Sequence, residues 1–320
     1  MRRLGTVFGA VLAGVLVVGC SGSVDDSGGG DSKKLVLIPG VADEPFYISM
    51  QCGAEAKAEA LGYELGTQAP TKFDAAQQTP ILSGVVANKP GGILIAPTHA
   101  TAMASPMKQA RDTGIAMVEV DTALDDTSVA VSSIASDNKK GGELAAQTLA
   151  KLIGDKGPVL VINTKAGTST TDARAQGFQD AVKAFPGITS LGVQYNNNEA
   201  AQAASIVTAT LAAHPDLAGI FATNLSSAEG AATGLRNANK LGQVKLVGFD
   251  ASPKQVEDLK AGTVQALIAQ DPAGIGEKGV EQAVAAIEGK PVTRTIQTDM
   301  VAITQADMDA NSKYFYKRKC

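Results

Sequence analysis

Short apolar runs alternate with longer segments of helical spacing from Lys34 onward, and this alternation constrains the fold more than any other feature. Strands that alternate with helices form parallel sheets with helices packed on both faces. The candidate strands are continuous apolar runs, as expected when both faces of a sheet are covered. The predicted strands are Leu35–Ile38, Tyr63–Thr67, Gly92–Ala96, Ala116–Val120, Val129–Ile134, Val159–Asn163, Ser190–Gln194, Gly219–Thr223, Lys245–Phe249 and Val264–Ala269.

These strands are more than one typical sheet needs, so we predict an α/β fold with two doubly wound parallel-sheet domains. An internal echo supports the division. Residues 90–98 and 216–224 both run from a turn through a strand to a polar end, and a helix of small residues follows each. Two similar halves that face each other place their strand ends, where open α/β sheets bind ligands, around one shared cleft.

The N-terminus has the pattern of a lipoprotein signal peptide. Two arginines precede an apolar stretch, residues 4–18, that is short for a bilayer-spanning helix of ~20 residues. Residues 16–20, Leu-Val-Val-Gly-Cys, look like a bacterial lipobox. We therefore expect a signal peptide at 1–19, a lipid on Cys20, and anchoring to the outer face of the bacterial cell membrane. An ordinary secretory signal with an incidental cysteine is the alternative.

Residues 20–33 are rich in Ser, Gly and Asp and have almost nothing to bury, which predicts a flexible tether between the lipid and the folded body. Cys52 and Cys320 are the two remaining cysteines. Outside the cytoplasm such a pair favours a disulfide. However, the i+4 spacing of Ile48, Cys52, Ala56 and Ala60 predicts an apolar helix face, so a free, buried Cys52 thiol is the alternative. The tail at 314–320 either packs over a domain or frays.

Composition argues against several classes of function. The formal charge is only −4 and no basic block occurs, so nucleic acid is not an expected partner. The chain has two histidines and no Gly-Lys-Ser/Thr phosphate loop, which leaves few residues for a metal cluster, a Ser-His-Asp site or a nucleotide site. We expect a monomer that is not an enzyme and uses no cofactor or metal.

Polar side chains gather just after the predicted strands. Carboxylates accept hydrogen bonds from hydroxyls, amides donate and accept, and guanidinium donates in a fixed fork. That mixture suits a polyhydroxylated ligand, with aromatic rings over its C–H face. The candidate binding residues are Glu44, Phe46, Tyr47, Asp121, Thr122, Arg174, Asn198, Asn224, Asp250 and Gln270.

Each of these positions also has a purely structural interpretation. Asp121, Asn224 and Asp250 could cap the helices that follow their strands. Arg174 could pair on the surface with Asp172 or Asp180, and Phe46 could be a core residue.

Several motifs, in order, resemble the ribose-binding-protein group of type I periplasmic sugar-binding proteins. They include Pro45-Phe46-Tyr47, Ile134–Asn138 with Gly141-Gly142, Gly167–Ser169 with Arg174, Ala213–Asp216, Val247–Asp250 and Ile268–Gln270. The similarity runs from about Lys34 to Ile303. It implies two lobes joined by a three-strand hinge that closes on the ligand, with hinge residues Ser136, Asp137, Asp271 and Asp299. The N-terminal lobe would comprise 34–136 and 271–298, and the C-terminal lobe 137–270 and 299–320.

The resemblance implies sugar contacts for seven of the ten candidates and departs at the other three. Glu44 stands in place of an asparagine, Thr122 in place of an arginine, and Asn198 in place of an aromatic that would stack on a sugar ring. Fewer donors, more acceptors and one stacking ring fewer suggest an open-chain polyol of four to six carbons, such as a pentitol or tetritol, with a monosaccharide as competitor. The implied partners are the permease and ATPase of an ABC importer. A sensor subunit that presents sugar to a membrane receptor is the alternative.

Overall fold

The computed structural model describes residues 33–320, which form twelve strands and nine α-helices. The predicted signal peptide, Cys20 and all of the tether except Lys33 lie outside the described residues. The strands are β1 (Lys34–Ile38), β2 (Glu64–Thr67), β3 (Gly92–Ile95), β4 (Ala116–Val120), β5 (Ser132–Ser136), β6 (Lys156–Asn163), β7 (Gly187–Tyr195), β8 (Gly219–Ala222), β9 (Lys245–Phe249), β10 (Ala266–Gln270), β11 (Thr295–Thr298) and β12 (Met300–Thr304). The helices are α1 (Pro45–Ala60), α2 (Ala75–Ala87), α3 (Ala104–Asp112), α4 (Asn138–Ile153), α5 (Ser169–Val182), α6 (Ala200–Ala213), α7 (Leu225–Asn237), α8 (Pro253–Lys260) and α9 (Pro272–Ile287).

The strands form two six-stranded sheets with matching topology. One has the order β11-β5-β4-β3-β1-β2 and the other β12-β10-β9-β8-β6-β7. We call the bodies built around them the N-lobe and the C-lobe. All pairings are parallel except that of β10 with β12, which is antiparallel. The two sheets confirm the predicted fold class, and the two halves of the sequence echo fall on β3 and β8, which hold the same place in each sheet.

The central strands are buried on both faces. Ile93, Leu94 and Ile95 of β3 are fully inaccessible to solvent, and β8 and all of β9 except Lys245 are also buried. Each apolar side chain removed from water contributes roughly 1.5–3 kcal/mol, so these strands are the rigid base from which the loops at their carboxyl ends project. The continuous apolar runs that predicted them follow directly from this burial.

The chain passes between the lobes three times. It leaves β5 at Ser136 to begin α4, leaves β10 at Gln270 to begin α9, and joins β11 to β12 through Asp299. Asp137 and Asp271 cap the helices that follow, accepting from the backbone N–H of Lys140 at 3.3 Å and of Gly274 at 3.0 Å.

Glycines allow α4 and α5 to touch backbone to backbone. A Cβ on Gly142 would collide with the carbonyl oxygen of Arg174, and a Cβ on Gly177 would collide with that of Lys139. This close approach fixes the position of α5 on the C-lobe. Because Arg174 lies on α5, the close approach of the two helices also sets where its guanidinium enters the cleft.

Three details of the sequence prediction were wrong. The strand predicted at Val129–Ile134 lies at Ser132–Ser136, because its serines face buried hydrogen-bonding partners rather than solvent. Strands β11 and β12 were not predicted. On α1 the buried face carries Met50, Ala54 and Ala58, whereas Ala56 and Ala60 are exposed, so Cys52 lies at the margin of the buried face. No helix among residues 33–320 is both long enough and apolar enough to cross a bilayer.

Candidate functional site

A small cavity lies between the lobes, at the carboxyl ends of the strands. All ten candidate residues line it. Five further residues that the sequence interpretation missed also line it: Phe73, Thr164, Thr168, Thr170 and Thr171.

The lobes are closed on each other around this cavity. The backbone N–H of Ala100 in the N-lobe donates to the carbonyl of Gly167 in the C-lobe at 3.0 Å. The N–H of Ala123 donates to Ser169 Oγ at 2.9 Å. Together with the polar side chains inside, these contacts mean that both lobes supply walls of one enclosed site.

Three of the acidic and amide residues have unusual backbone conformations. Asp121 follows β4 and Asp250 follows β9, which hold equivalent places in the two sheets, and their φ angles are 65° and 79°. Asn198, after β7, has φ 60°. Asp and Asn tolerate this left-handed region better than most residues, at a cost of about 1–3 kcal/mol each. The sharp turn directs each side chain into the cavity rather than along the strand.

Arg174 is the centre of a buried hydrogen-bond network. Its Nε donates to Asn138 Oδ1 at 2.8 Å, Nη1 to the carbonyl of Thr223 at 2.9 Å, and Nη2 to Gln270 Oε1 at 3.0 Å. The guanidinium carbon lies 3.7 Å from the centre of the Phe249 ring, a cation–π contact. Guanidinium has five N–H donors, so two remain for a ligand. The surface-pair alternative is wrong: Arg174 is 3% exposed, and Asp180 pairs with Lys183 instead.

Gln270 links this network to the passages between the lobes. Its Oε1 also accepts from Ser136 Oγ at 2.9 Å, and Ser136 Oγ lies 3.3 Å from Thr298 Oγ1. Its Nε2 donates to Asp250 Oδ1 at 2.7 Å. Ser136, Gln270 and Thr298 each end a strand at a passage between lobes, so the hydrogen bonds of the site continue into the segments that join the lobes.

Asp250 is held by three donors. Oδ1 accepts from Gln270 and from the hydroxyl of Tyr316 at 2.9 Å, and Oδ2 accepts from the backbone N–H of Leu225 at 3.0 Å. Burial raises its pKa above the ordinary range, while Arg174 and these donors oppose that rise. The predicted capping of the following helix is wrong for Asp250, because Ser252 caps α8. Tyr316 was not among the predicted site residues.

Asp121 accepts a hydrogen bond from the hydroxyl of Tyr47 at 2.8 Å. Burial raises its pKa to about 6, against the lowering effect of Arg174 and of this hydrogen bond. No helix begins directly after Asp121, so the capping alternative is wrong here too. It is right for Asn224, whose Oδ1 accepts from the N–H of Ser227 at 3.1 Å, although Nδ2 also reaches Asn198 Oδ1 at 2.7 Å within the site.

Glu44 precedes α1 and lines the cavity together with the two aspartates. Burial, reinforced by the charges of Asp250 and Asp121, raises its pKa to about 8, and Arg174 only partly offsets this. At neutral pH the closed site therefore holds a protonated Glu44, which can donate as well as accept.

Four threonine hydroxyls of the cavity wall have no hydrogen-bond partner although they are buried. They belong to Thr122, Thr164, Thr168 and Thr171. A buried polar group without a partner costs about 1–3 kcal/mol, so proteins rarely leave several together. The last three follow β6, beside the Gly167-Thr168-Ser169 run already noted in the sequence. Their clustering at a strand end is the signal that could have identified them.

The apolar side of the cavity comes from one lobe. Phe46, Tyr47 and Phe73 belong to the N-lobe, and every residue that the C-lobe contributes is polar. The core interpretation of Phe46 is partly right, because its ring is buried and packs against Tyr47 and Tyr316. The cavity thus has one face for C–H groups and one for hydroxyls. Residues 33–320 contain no cluster of three or more His, Cys, Asp or Glu able to hold a metal ion.

Two α/β lobes that close on a polar cavity at their strand ends are the architecture of a bilobal solute-binding protein. The chain matches the periplasmic binding protein domain family over residues 35–291 and belongs to it. It is 31% identical over 300 residues to the ribose import binding protein of Salmonella typhimurium, covering 94% of this chain and 97% of that one. This confirms the family resemblance drawn from the motifs.

Solved structures of solute-binding proteins share the fold. An ABC transporter solute-binding protein from Agrobacterium vitis, bound with α-D-tagatopyranose, is 43% identical with a TM-score of 0.87, covering 89% of this chain and 99% of that one. A second, from the same organism with D-fucose bound, is 29% identical with a TM-score of 0.84, covering 88% of this chain and 100% of that one. Members of this family bind substrates for ABC importers.

Proposed function

We propose that this protein captures a small polyhydroxylated solute of four to six carbons, a monosaccharide or its sugar alcohol, by closure of the lobes about the passages at Ser136–Asp137, Gln270–Asp271 and Thr298–Asp299. The observation that carries the proposal is the set of four buried, unpartnered threonine hydroxyls in a wall that also presents carboxyl, amide and guanidinium groups. A ligand with several hydroxyls supplies the missing partners. Relatives that bind ribose, tagatose and fucose support the same chemistry.

The composition of the cavity walls favours an open-chain polyol over a ring. Aromatic side chains line only the N-lobe side, so a ring would have one stacking face, and Asn198 holds the place of the second. Thr122 offers a hydroxyl where the related pattern has an arginine, and protonated Glu44 adds a donor and an acceptor. A flexible chain of hydroxyls can turn to meet these groups one by one. The bound, closed protein would then deliver the solute to the permease and ATPase of an ABC importer.

A calorimetric panel tests the proposal. Protein purified without refolding is titrated with D-tagatose, D-ribose and D-fucose, and with ribitol, xylitol, erythritol and galactitol. We expect saturable binding in the panel, with a polyol bound most tightly. Binding confined to the cyclic sugars would overturn the preference for polyols, and no binding by any compound would overturn the proposed function.

A substitution locates the binding within the cavity. Thr171→Val removes an unpartnered hydroxyl, so the melting temperature should stay equal or rise, while affinity falls roughly threefold to tenfold, the value of one lost hydrogen bond. Thr208→Val, on the exposed side of α6, is the matched control and should change neither quantity. Undiminished affinity in Thr171→Val would remove that hydroxyl from the site.

We also propose that Cys20 carries a lipid that anchors the mature chain to the outer face of the cell membrane, after removal of residues 1–19. The support is the lipobox-like run at residues 16–20 behind a charged and apolar leader. Cys20→Ala should shift the protein from the membrane fraction to the soluble fraction of cells and abolish labelling by radioactive palmitate. A protein that remains unlabelled and soluble in its unmodified form would contradict the anchor.

A further inference from the structure

The C-terminal tail, residues 305–320, lies across both lobes. It leaves the C-lobe after β12, forms a short 3-10 helix at Ser312–Tyr314, and ends at Cys320. All of its residues are described, and Tyr316 alone among them is buried, at 5% exposure. The tail extends past the region of similarity at 34–303, so the resemblance assigned it no role.

Tyr316 reaches the site from behind Asp250. Its hydroxyl donates to Asp250 Oδ1 at 2.9 Å and accepts from the backbone N–H of Gln270 at 3.3 Å. Its own N–H donates to the carbonyl of Ala251 at 3.0 Å. These three contacts are to the C-lobe. Its ring meets Phe46 of the N-lobe edge to face, with 5.7 Å between ring centres.

The residues after Tyr316 attach to the other lobe. The N–H of Lys317 donates to Ser49 Oγ at 2.7 Å, and Cys320 forms a disulfide with Cys52. Both Ser49 and Cys52 lie on α1 of the N-lobe. Of the two possibilities left open by the sequence, the structure thus contains the bridge, and the tail packs rather than frays.

The spacing of these attachments limits how far the lobes can part. Cys320 lies four positions after Tyr316, and this segment spans at most ~14 Å when fully extended. While Tyr316 stays bonded to Ala251 and Asp250, the disulfide therefore works as a short tether between the C-lobe and α1. It is a fourth connection between the lobes, besides the three passages of the backbone. Among the residues described, it is the only covalent connection on the side of α1.

We propose that the C-terminal tail is part of the binding site: Tyr316 is a positioning residue that fixes the Asp250 carboxylate, and the Cys52–Cys320 disulfide restrains opening of the lobes. The role of Tyr316 in affinity rests on the proposed function, whereas the restraint on opening does not. Without the Tyr316 hydroxyl the Asp250 carboxylate keeps only the hydrogen bonds from Gln270 and Leu225, so it is less firmly fixed and a ligand must order it further. Loosening the tail lets the lobes separate further and lets a bound solute leave faster.

Tyr316→Phe tests the positioning role. It keeps the ring on Phe46 and removes the hydroxyl, so the dissociation constant for the panel compound that the unmodified protein binds most tightly should rise about tenfold, the value of one hydrogen bond to a charged group. Tyr314→Phe, in the same tail, is the matched control and should bind as before. In an Asp250→Asn background, Tyr316→Phe should have a much smaller effect, which a general loss of stability would not produce. Equal affinities of Tyr316→Phe and the unmodified protein would overturn this role.

The restraint is tested without any ligand. Small-angle X-ray scattering of the ligand-free protein should give a larger radius of gyration for Cys320→Ser, and for the reduced protein, than for the oxidised protein. Identical radii would overturn the restraint. If no panel compound binds the unmodified protein, the proposed function fails while the scattering still decides the restraint. If the unmodified protein binds and Tyr316→Phe binds equally well, the positioning role alone fails.

Discussion

Replacing Arg174 with alanine is expected to raise the dissociation constant of the bound solute at least about 100-fold, because it removes the two N–H donors that remain for the ligand, each worth about 1.5–3 kcal/mol as a hydrogen bond to a charged group. The truncation also takes three hydrogen bonds from Asn138, Thr223 and Gln270 and a positive charge from Asp121 and Asp250. Isothermal titration calorimetry gives the affinity directly.

Two variants make this result interpretable. Arg174→Lys keeps the charge but loses the planar fork, so we expect an intermediate affinity and an intact fold by circular dichroism. Arg236→Ala removes an arginine on α7 whose Nη2 lies 3.9 Å from Asp258, far from the cavity lining, and should bind within about twofold of the unmodified protein. Binding by Arg174→Ala within fivefold of the unmodified protein would show that the guanidinium only stabilises the C-lobe.

Affinity is expected to fall as pH rises from about 6.5 to 8, and Glu44 is the cause. In the closed site its pKa is about 8, above the ordinary 4.5, because Glu44 is buried near three other carboxylates, those of Asp250, Asp121 and Glu229. Opening exposes Glu44 to water and returns its pKa toward 4.5. Between these values the closed form holds a proton that the open form has released, so each pH unit disfavours closure by up to about tenfold. Above about 8 both forms are deprotonated and the curve flattens.

Calorimetry at pH 6.5 and 8.0 measures this effect, and buffers of different ionisation enthalpy report the accompanying proton uptake. Asp121, with a pKa of about 6, titrates mainly below this range. Glu44→Gln should flatten the profile, since it cannot exchange a proton, whereas Glu59→Gln on the exposed side of α1 should leave the slope unchanged. Parallel profiles for the unmodified protein and Glu44→Gln would rule out Glu44 as the titrating group.

The ends of the strands could be predicted because the sequence signal that marks them is local. An apolar run followed directly by Asp121 or Asp250 signals a buried strand and a polar loop without any knowledge of distant contacts. Strand β11 is mostly polar and carries no apolar run, whereas β12 carries the short apolar run Met300–Ile303, of which only Ile303 is fully buried. They are strands because β5 and β10 offer free edges, which is a property of the assembled sheets.

The missed residues of the site depend on contacts that are distant in sequence. Tyr316 lies 66 positions from Asp250, and nothing near it in the chain indicates a buried partner. Phe73 lies in a loop between β2 and α2, where apolar residues do not recur at the spacing of a helix or a strand. The threonines after β6 are small polar residues of a kind common in ordinary loops. Their clustering at a strand end is a weak signal, and the enclosed cavity strengthens it because it separates their hydroxyls from water.

The edge positions of β11 and β12 have a consequence for the order of events during synthesis. The N-lobe lacks α9 and β11 until the chain has reached Thr298, after the whole of β6–β10 has been made. The C-lobe sheet in turn waits for β12, which ends at Thr304. The two sheets therefore receive their last strands almost together, within residues 295–304. Folding to the final packed state is complete only when nearly the full chain has emerged.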